Sequence, residues 1–256
     1  MLADLTAGAL VDAQRRRETV SLNEVERLAL AQIPALDALA ALAPSEHVKI
    51  IAEVKRASPS KGSLASIVDP AALASSYAAG GASAISVLTE ERKFLGSLDD
   101  LRQVRQAVSV PLLRKDFMAE TYQVFEARAA GADLVLLIVA ALEQAHMQEL
   151  YDLATQLGMT VLVETHSGDE LERAIDLGAQ LIGVNARNLS TFELDRDLFE
   201  RLTDRFPSGS IRVAESGVRN VDDIRHYRSA GADVVLVGEA LVTSDPLVTL
   251  ASFLEI

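Results

Sequence analysis

The sequence predicts an α/β fold, a (β/α)8 TIM barrel with an N-terminal helical extension. Three observations predict it: eight short apolar runs after residue 47, stretches of helical period between them, and glycine just ahead of several runs. The runs are Val48–Lys55, Ala84–Thr89, Val110–Asp116, Leu134–Ala140, Thr160–Thr165, Leu181–Ala186, Ile211–Ser216 and Val234–Val237. Most are continuously apolar, the pattern of strands buried on both faces of a parallel sheet. Between the fourth and fifth, Met147, Leu150, Tyr151, Ala154 and Leu157 fall on one helical face. Asp69-Pro70 and Ser244-Asp245-Pro246 read as capped helix starts with proline in the first turn. Gly80-Gly81, Gly131, Gly178 and Gly231 each stand where a left-handed residue ends a helix before a strand. A doubly wound open sheet is the alternative, but no Gly-x-Gly-x-x-Gly follows the first run.

Residues 1–47 lie outside the repeat and read as helices over roughly Leu2–Glu18, Asn23–Gln32 and Leu36–Leu42. Ser21-Leu22-Asn23, Pro34 and Pro44-Ser45 are the turn signals between and after them. The extension either closes the barrel floor or lies over the mouth as a flap; the pattern leaves both open. We read residues 1–256 as one domain, with 1–47 the extension and 48–256 the barrel.

Composition narrows the function. The chain has no cysteine, so no thiolate metal site, disulfide or cysteine nucleophile is available. Its formal net charge is −13, which argues against a nucleic-acid partner. The longest apolar run, Leu134–Leu142, is too short to span a bilayer, which takes about 20 residues. Arg15, Arg16 and Arg17 follow the N-terminal apolar stretch rather than precede it, unlike a secretory signal. A cytoplasmic protein with no membrane partner is expected. The four histidines show no paired spacing, so no metal is expected, and His166 is expected at the surface.

In this fold chemistry sits at the C-terminal ends of the strands. Nearly every run ends in a polar residue: Glu53 and Lys55, Glu90, Lys115 and Asp116, Glu164, Asn185 and Arg187, Glu215 with Ser216-Gly217, then Gly238. Charges inside a barrel are costly unless paired, so this ring holds either structural ion pairs or a catalytic site. Glu53 and Lys55 are two apart on a strand and share a face. Gly217 and Gly238 end the seventh and eighth runs, where barrels bind phosphate through backbone N–H groups. The loop Ser58-Pro59-Ser60-Lys61-Gly62 could close over a ligand.

Several runs together resemble the indole-3-glycerol phosphate synthase family. They are Glu53-Val54-Lys55-Arg56-Ala57-Ser58-Pro59-Ser60, Leu113-Arg114-Lys115-Asp116-Phe117, Leu162-Val163-Glu164, Gly183-Val184-Asn185-Ala186-Arg187-Asn188-Leu189, Ala214-Glu215-Ser216-Gly217 and Val237-Gly238-Glu239. The resemblance implies conversion of 1-(o-carboxyphenylamino)-1-deoxyribulose 5-phosphate to indole-3-glycerol phosphate, a carboxy-lyase step of tryptophan biosynthesis that uses no cofactor. It implies Lys115 as general acid on the ketone oxygen and Lys55, with Arg187, as the holder of the departing carboxylate. Glu164 is then the leading base, with Glu53 the second candidate, while Asn185 and Glu215 bind hydroxyls or orient the lysines. The phosphate is expected at Ser58, Ser216, Gly217, Gly238 and Glu239, with the Glu239 carboxylate turned away from it. The aryl ring is expected among Pro59, Phe94, Phe117, Leu136 and Leu189. Association with other enzymes of the pathway is conceivable on this reading. The residues alone also suit a sugar-phosphate isomerase, a Schiff-base aldolase, or a non-catalytic barrel that binds phosphorylated metabolites.

Overall fold

The computed structural model describes residues 1–59, 61–188 and 191–256. Eight parallel strands close into a barrel: β1 (Lys49–Val54), β2 (Ala84–Leu88), β3 (Leu112–Lys115), β4 (Leu134–Ile138), β5 (Thr160–Thr165), β6 (Leu181–Asn185), β7 (Ile211–Glu215) and β8 (Val234–Val237). Each strand pairs with its neighbour in sequence, and β8 closes the ring on β1 through the register Ile51↔Leu236. The predicted runs hold, each trimmed by at most two residues at an end where a loop or turn takes over. Leu134–Ala140 stops at Ile138 because Val139–Ala141 tightens into a 3-10 turn.

The helices alternate with the strands as expected. Around the barrel run α4 (Pro70–Ala79), α5 (Leu98–Ala107), α6 (Thr121–Ala129), α7 (Gln144–Gln156), α8 (Gly168–Asp176), α9 (Leu198–Leu202), α10 (Val221–Ser229), α11 (Glu239–Val242) and α12 (Pro246–Leu254). Asp69 and Asp245 cap α4 and α12 with proline at the first turn. Gly131 and Gly231, both with φ above +90°, end α6 and α10 and lead into Asp133 and Asp233. Those two aspartates do the same work at the barrel floor. Asp133 accepts from Leu112 N at 2.9 Å and Arg105 at 2.7 Å; Asp233 accepts from Arg212 N at 3.0 Å and its Nε at 2.9 Å. The repeated Gly-Ala-Asp thus ties each strand to its predecessor.

Alternation along the strands makes two cores. Ile51, Leu113, Leu136, Leu162, Leu181, Val213 and Leu236 fill the barrel interior. Ile50, Ala52, Ile85, Leu112, Val135, Ile182 and Val235 face outward and pack with Tyr77, Leu101, Val124, Leu150, Phe199 and Phe253 of the helices. The polar side chains of the mouth lie two residues beyond interior core residues on the same face. Glu53 follows Ile51, Lys115 follows Leu113, Glu164 follows Leu162 and Glu215 follows Val213.

The extension forms α1 (Leu2–Thr19), α2 (Leu22–Leu30) and α3 (Ala38–Leu42). The starts shift slightly from expectation because the Ser21 hydroxyl accepts from Glu24 N and Asp37 accepts from Ala40 N. Both readings of this segment are realised by different helices. Leading into α3, Leu36 N donates to Asp133 at the strand N-termini (2.8 Å), and Ala38 and Leu42 join the interior core from the floor. α1 lies at the opposite end, where Leu5 lines the mouth. It is fastened there by charge: Asp12 accepts from Arg92 Nε at 2.8 Å, Arg15 reaches Glu91 at 2.6 Å, and Arg16 reaches Glu91 at 3.2 Å and Glu126 at 2.5 Å. Among the described residues no helix is long and apolar enough to cross a membrane.

Candidate active site

The strand C-termini enclose a cavity of about 370 Å3. Glu53 and Lys55 from β1 and its edge, Lys115 from β3, Glu164 from β5, Asn185 from β6 and Glu215 from β7 all line it. These are the predicted polar residues, brought together from sequence positions more than 160 apart. Pro59, Phe94, Phe117 and Leu136 form the apolar wall, where the Phe94 and Phe117 rings meet at 6.0 Å, tilted by 40°. Ser58, Ser216, Gly217, Gly238 and Glu239 line the same cavity, as does Arg187, which donates to Phe192 O at 3.1 Å. Leu189 lies outside the described residues, as does Ser60 of the loop after β1.

The charged groups form two clusters, one at the end of β1 and one around Lys115 of β3. In the first, Lys55 Nζ contacts Glu53 Oε1 at 2.6 Å. In the second, Lys115 Nζ lies 3.4 Å from Glu164 Oε2 and 3.7 Å from Glu215 Oε2. Burial alone would depress the Lys115 ammonium, but the carboxylates of Glu164, Glu215 and Glu53 outweigh it and hold the group charged, above its ordinary value. The two glutamates beside it split. For Glu164, burial is overcome by Lys115, His166 and Asn185, which keep its carboxyl below the usual range. For Glu215, burial and the neighbouring Glu164 charge push the carboxyl well above the usual range, with Lys115 opposing. Both Glu215 oxygens are buried without a hydrogen-bond partner. Burial and the Glu164 charge thus favour the protonated form of Glu215, with the Lys115 ammonium 3.7 Å away opposing. Their environments therefore drive the two carboxyls apart, Glu164 toward the charged form and Glu215 toward the neutral one.

Glycine makes the close approach possible. A Cβ at Gly183 would lie 2.2 Å from Glu215 Oε1, in the space its carboxyl occupies. At Gly238 a Cβ would lie 2.6 Å from Glu53 Oε1 and 2.9 Å from Lys55 Nζ. Both clashing atoms end flexible side chains, so Gly238→Ala displaces the pair rather than unfolding the barrel. We expect kcat/KM to fall roughly 100-fold, as an ångström-scale misplacement does, with Tm nearly unchanged. Steady-state rates and thermal melts of the variant check this.

Backbone conformation shapes the cavity wall after β7. Ser216 and Gly217 are successive residues with φ of 70° and 81°. A serine held there is strained, and neighbours fix it: Ser216 O accepts from Tyr227 at 2.9 Å and Ser216 Oγ donates to Asn185 Oδ1 at 2.8 Å. Turns of this kind aim backbone N–H groups to one side and suit an anion. The Glu239 carboxylate is held by Lys61 of the β1 loop, an ion pair across the mouth.

Some expectations change. His166 is not a surface residue: its side chain is 11% exposed, because Nε2 sits 3.3 Å from Glu164 Oε1 and Nδ1 3.2 Å from Glu170 Oε2. Glu90 and Asp116, though at strand ends, are structural. Glu90 accepts from the backbone of Arg92, Lys93 and Phe94, and Asp116 accepts from Arg114 at 2.9 Å and Thr89. Arg219, two residues past Gly217, lines the cavity as a further cation that sequence reading missed.

A family model described as "Indole-3-glycerol phosphate synthase" matches residues 2–251. The chain is 69% identical over 253 residues to the indole-3-glycerol phosphate synthase of Leifsonia xyli, covering 99% of this chain and 97% of that protein. It is 55% identical to the enzyme of that name from Arthrobacter sp., covering 99% of this chain and 95% of the relative. Among solved structures, an N-acetylmannosamine-6-phosphate 2-epimerase from Clostridium perfringens superposes with a TM-score of 0.62 at 14% identity, over 83% of this chain and 94% of that one. At that identity it speaks for the barrel fold alone.

Proposed function

The chain belongs to the indole-3-glycerol phosphate synthase family, and from that premise and the geometry of the mouth we propose how its residues divide the work. The reaction closes the indole ring of 1-(o-carboxyphenylamino)-1-deoxyribulose 5-phosphate, expels CO2 and then water, and leaves indole-3-glycerol phosphate. It is a carboxy-lyase step of tryptophan biosynthesis.

The ring carbon bearing the carboxylate attacks the ketone carbon, and the ketone oxygen must gain a proton. Lys115 supplies it. The observation that carries this role is the seating of its ammonium within 4 Å of both Glu164 and Glu215 in the cavity lining, which keeps it charged. The carboxylate leaves as CO2 and returns its electron pair to the ring. Lys55 holds that carboxylate until it goes, assisted by Arg187, which lines the same cavity. The former ketone oxygen, now a hydroxyl, takes a second proton and departs as water, while Glu164 removes a proton from the adjacent CH2 carbon. Asn185 holds Glu164 and Ser216 in place, and Glu215 lies beside Lys115 and orients it. Glu53 orients Lys55.

The phosphate lies at Ser58, Ser216, Gly217, Gly238 and Glu239 on this reading, with Arg219 adding positive charge at the rim. The aryl ring rests against Pro59, Phe94, Phe117 and Leu136. Since α1 supplies Leu5 to the cavity wall, extension and barrel act as one domain. The protein works in the cytoplasm, where its phosphorylated substrate is made. A direct assay tests the scheme. The chain has no tryptophan, so indole formation appears against a dark background. Fluorescence should rise when the carboxyphenylamino substrate is added, and no rise would refute the reading.

A further inference from the structure

Proton accounting on the proposed scheme leaves a demand that Lys115 alone does not meet. Starting from the carboxylate, two protons go onto the ketone oxygen, one is recovered from the CH2 carbon, and CO2 leaves without one. One proton is therefore taken from solvent in each turnover. Both protons go to the same oxygen, and the scheme draws both from Lys115. Lys115 must be recharged after ring closure, before the water leaves, while substrate fills the mouth.

We propose that His166 is a proton-relay residue that recharges Lys115 from outside the barrel through Glu164. The groups form one line. Lys115 Nζ lies 3.4 Å from Glu164 Oε2; Glu164 Oε1 lies 3.3 Å from His166 Nε2; His166 Nδ1 lies 3.2 Å from Glu170 Oε2. The side chains open outward along it, from 1% exposed at Glu164 to 11% at His166 and 20% at Glu170. Glu170 is anchored for the task, since the same Oε2 accepts from His166 N at 2.8 Å and Ser167 caps the start of its helix.

The imidazole contact with Glu164 is close but off-line. Nε2 is buried and makes no aligned hydrogen bond. Burial would lower the imidazolium, but Glu164 and Glu170 push it up to about 10, so the relay begins loaded.

The steps balance. After ring closure Lys115 is neutral. His166 passes its Nε2 proton to Glu164, which passes one on to Lys115; the neutral ring, still protonated at Nδ1, then turns over, so that its remaining N–H faces Glu164 and its bare nitrogen takes a replacement proton from solvent by way of Glu170. Lys115 then protonates the hydroxyl, and water leaves. Glu164 takes the CH2 proton and hands it to Lys115, which restores the starting state with one proton consumed.

The inference rests on the proposed synthase scheme, and its test separates the two. In a single turnover, the release of labelled CO2 reports ring closure and decarboxylation, while indole fluorescence reports dehydration. If the wild-type chain gives neither signal, the scheme itself fails. If it gives both, His166→Gln is compared, since glutamine keeps a donor near Glu164 but cannot pass a proton through. The relay predicts CO2 release within about twofold of wild type and fluorescence slowed at least tenfold, so that the hydroxylated intermediate accumulates. For His166→Ala the same split is expected, and added imidazole should restore the fluorescence rate. Unchanged fluorescence in His166→Gln would mean protons enter through the mouth and would overturn the proposal. Equal slowing of both signals, without imidazole rescue, would also overturn it by making His166 a positioning residue only.

Discussion

Lys115→Met is expected to lower kcat by about 1,000-fold, with KM changed only a few-fold, the loss usual for a positioned general acid. Methionine keeps the length and the apolar stem, so the change removes the ammonium and little else. Two consequences follow. The ketone oxygen loses its proton donor, and the developing negative charge there meets the Glu164 carboxylate unrelieved. In addition, the Glu164 carboxyl should rise toward its ordinary value, because Lys115 is the main group holding it down against burial. The base would then be partly protonated where it should be charged, and dehydration would suffer as well. Single-turnover CO2 release and fluorescence should both be slowed in this variant, unlike the split expected for His166→Gln. Turnover within tenfold of wild type would show that another group protonates the ketone.

Much of this site was legible because strand geometry converts spacing into direction. Glu53 with Lys55, and the carboxylates or ammonium after Leu113, Leu162 and Val213, each continue an inward-facing row of their strand. The same rule applies to Glu164 and His166, which are also two apart, and it would have placed His166 at the mouth. The scattered spacing of the histidines hides this, although the partner Glu170 stands only four residues on, within one helical turn. Other features were not legible. The position of α1 depends on Asp12, Arg15 and Arg16 meeting groups 75 to 110 residues away, and local periodicity carries no trace of those partners. The helix docks by charge more than by a broad apolar stripe, so the sequence could not say at which end of the barrel it sits. The hairpin of Ala57–Ser58 and Gly62–Ser63, beside the cavity, is likewise too short to leave a pattern.

The largest stability effect is expected one residue before Lys115. Arg114 alternates outward from the same strand and is fully buried between barrel and helices. Its guanidinium donates to Thr89 Oγ1 at 3.0 Å, Gln123 O at 2.9 Å, Glu126 Oε2 at 3.1 Å and Asp116 Oδ2 at 2.9 Å. Arg114→Met leaves Asp116 and Glu126 buried with one cation fewer, which costs about 3–5 kcal/mol. For a chain of this size that corresponds to a fall in Tm of roughly 6–20 °C, read by thermal melting. The effect should not stop at stability. Glu126 also binds Arg16 of α1, and Asp116 fixes the turn after β3 through its bond to Phe117 N. Loosening Arg114 therefore frees both the flap that brings Leu5 to the cavity and the strand end that aims Lys115. Adding Glu126→Gln to Arg114→Met should recover part of the lost stability by removing one stranded charge, since most of the cost lies in the unpaired carboxylate rather than in the missing bonds. A fall under 1 kcal/mol in the single variant, or a double variant no more stable than the single, would show that water or Arg16 alone satisfies those carboxylates and that the buried arginine is dispensable.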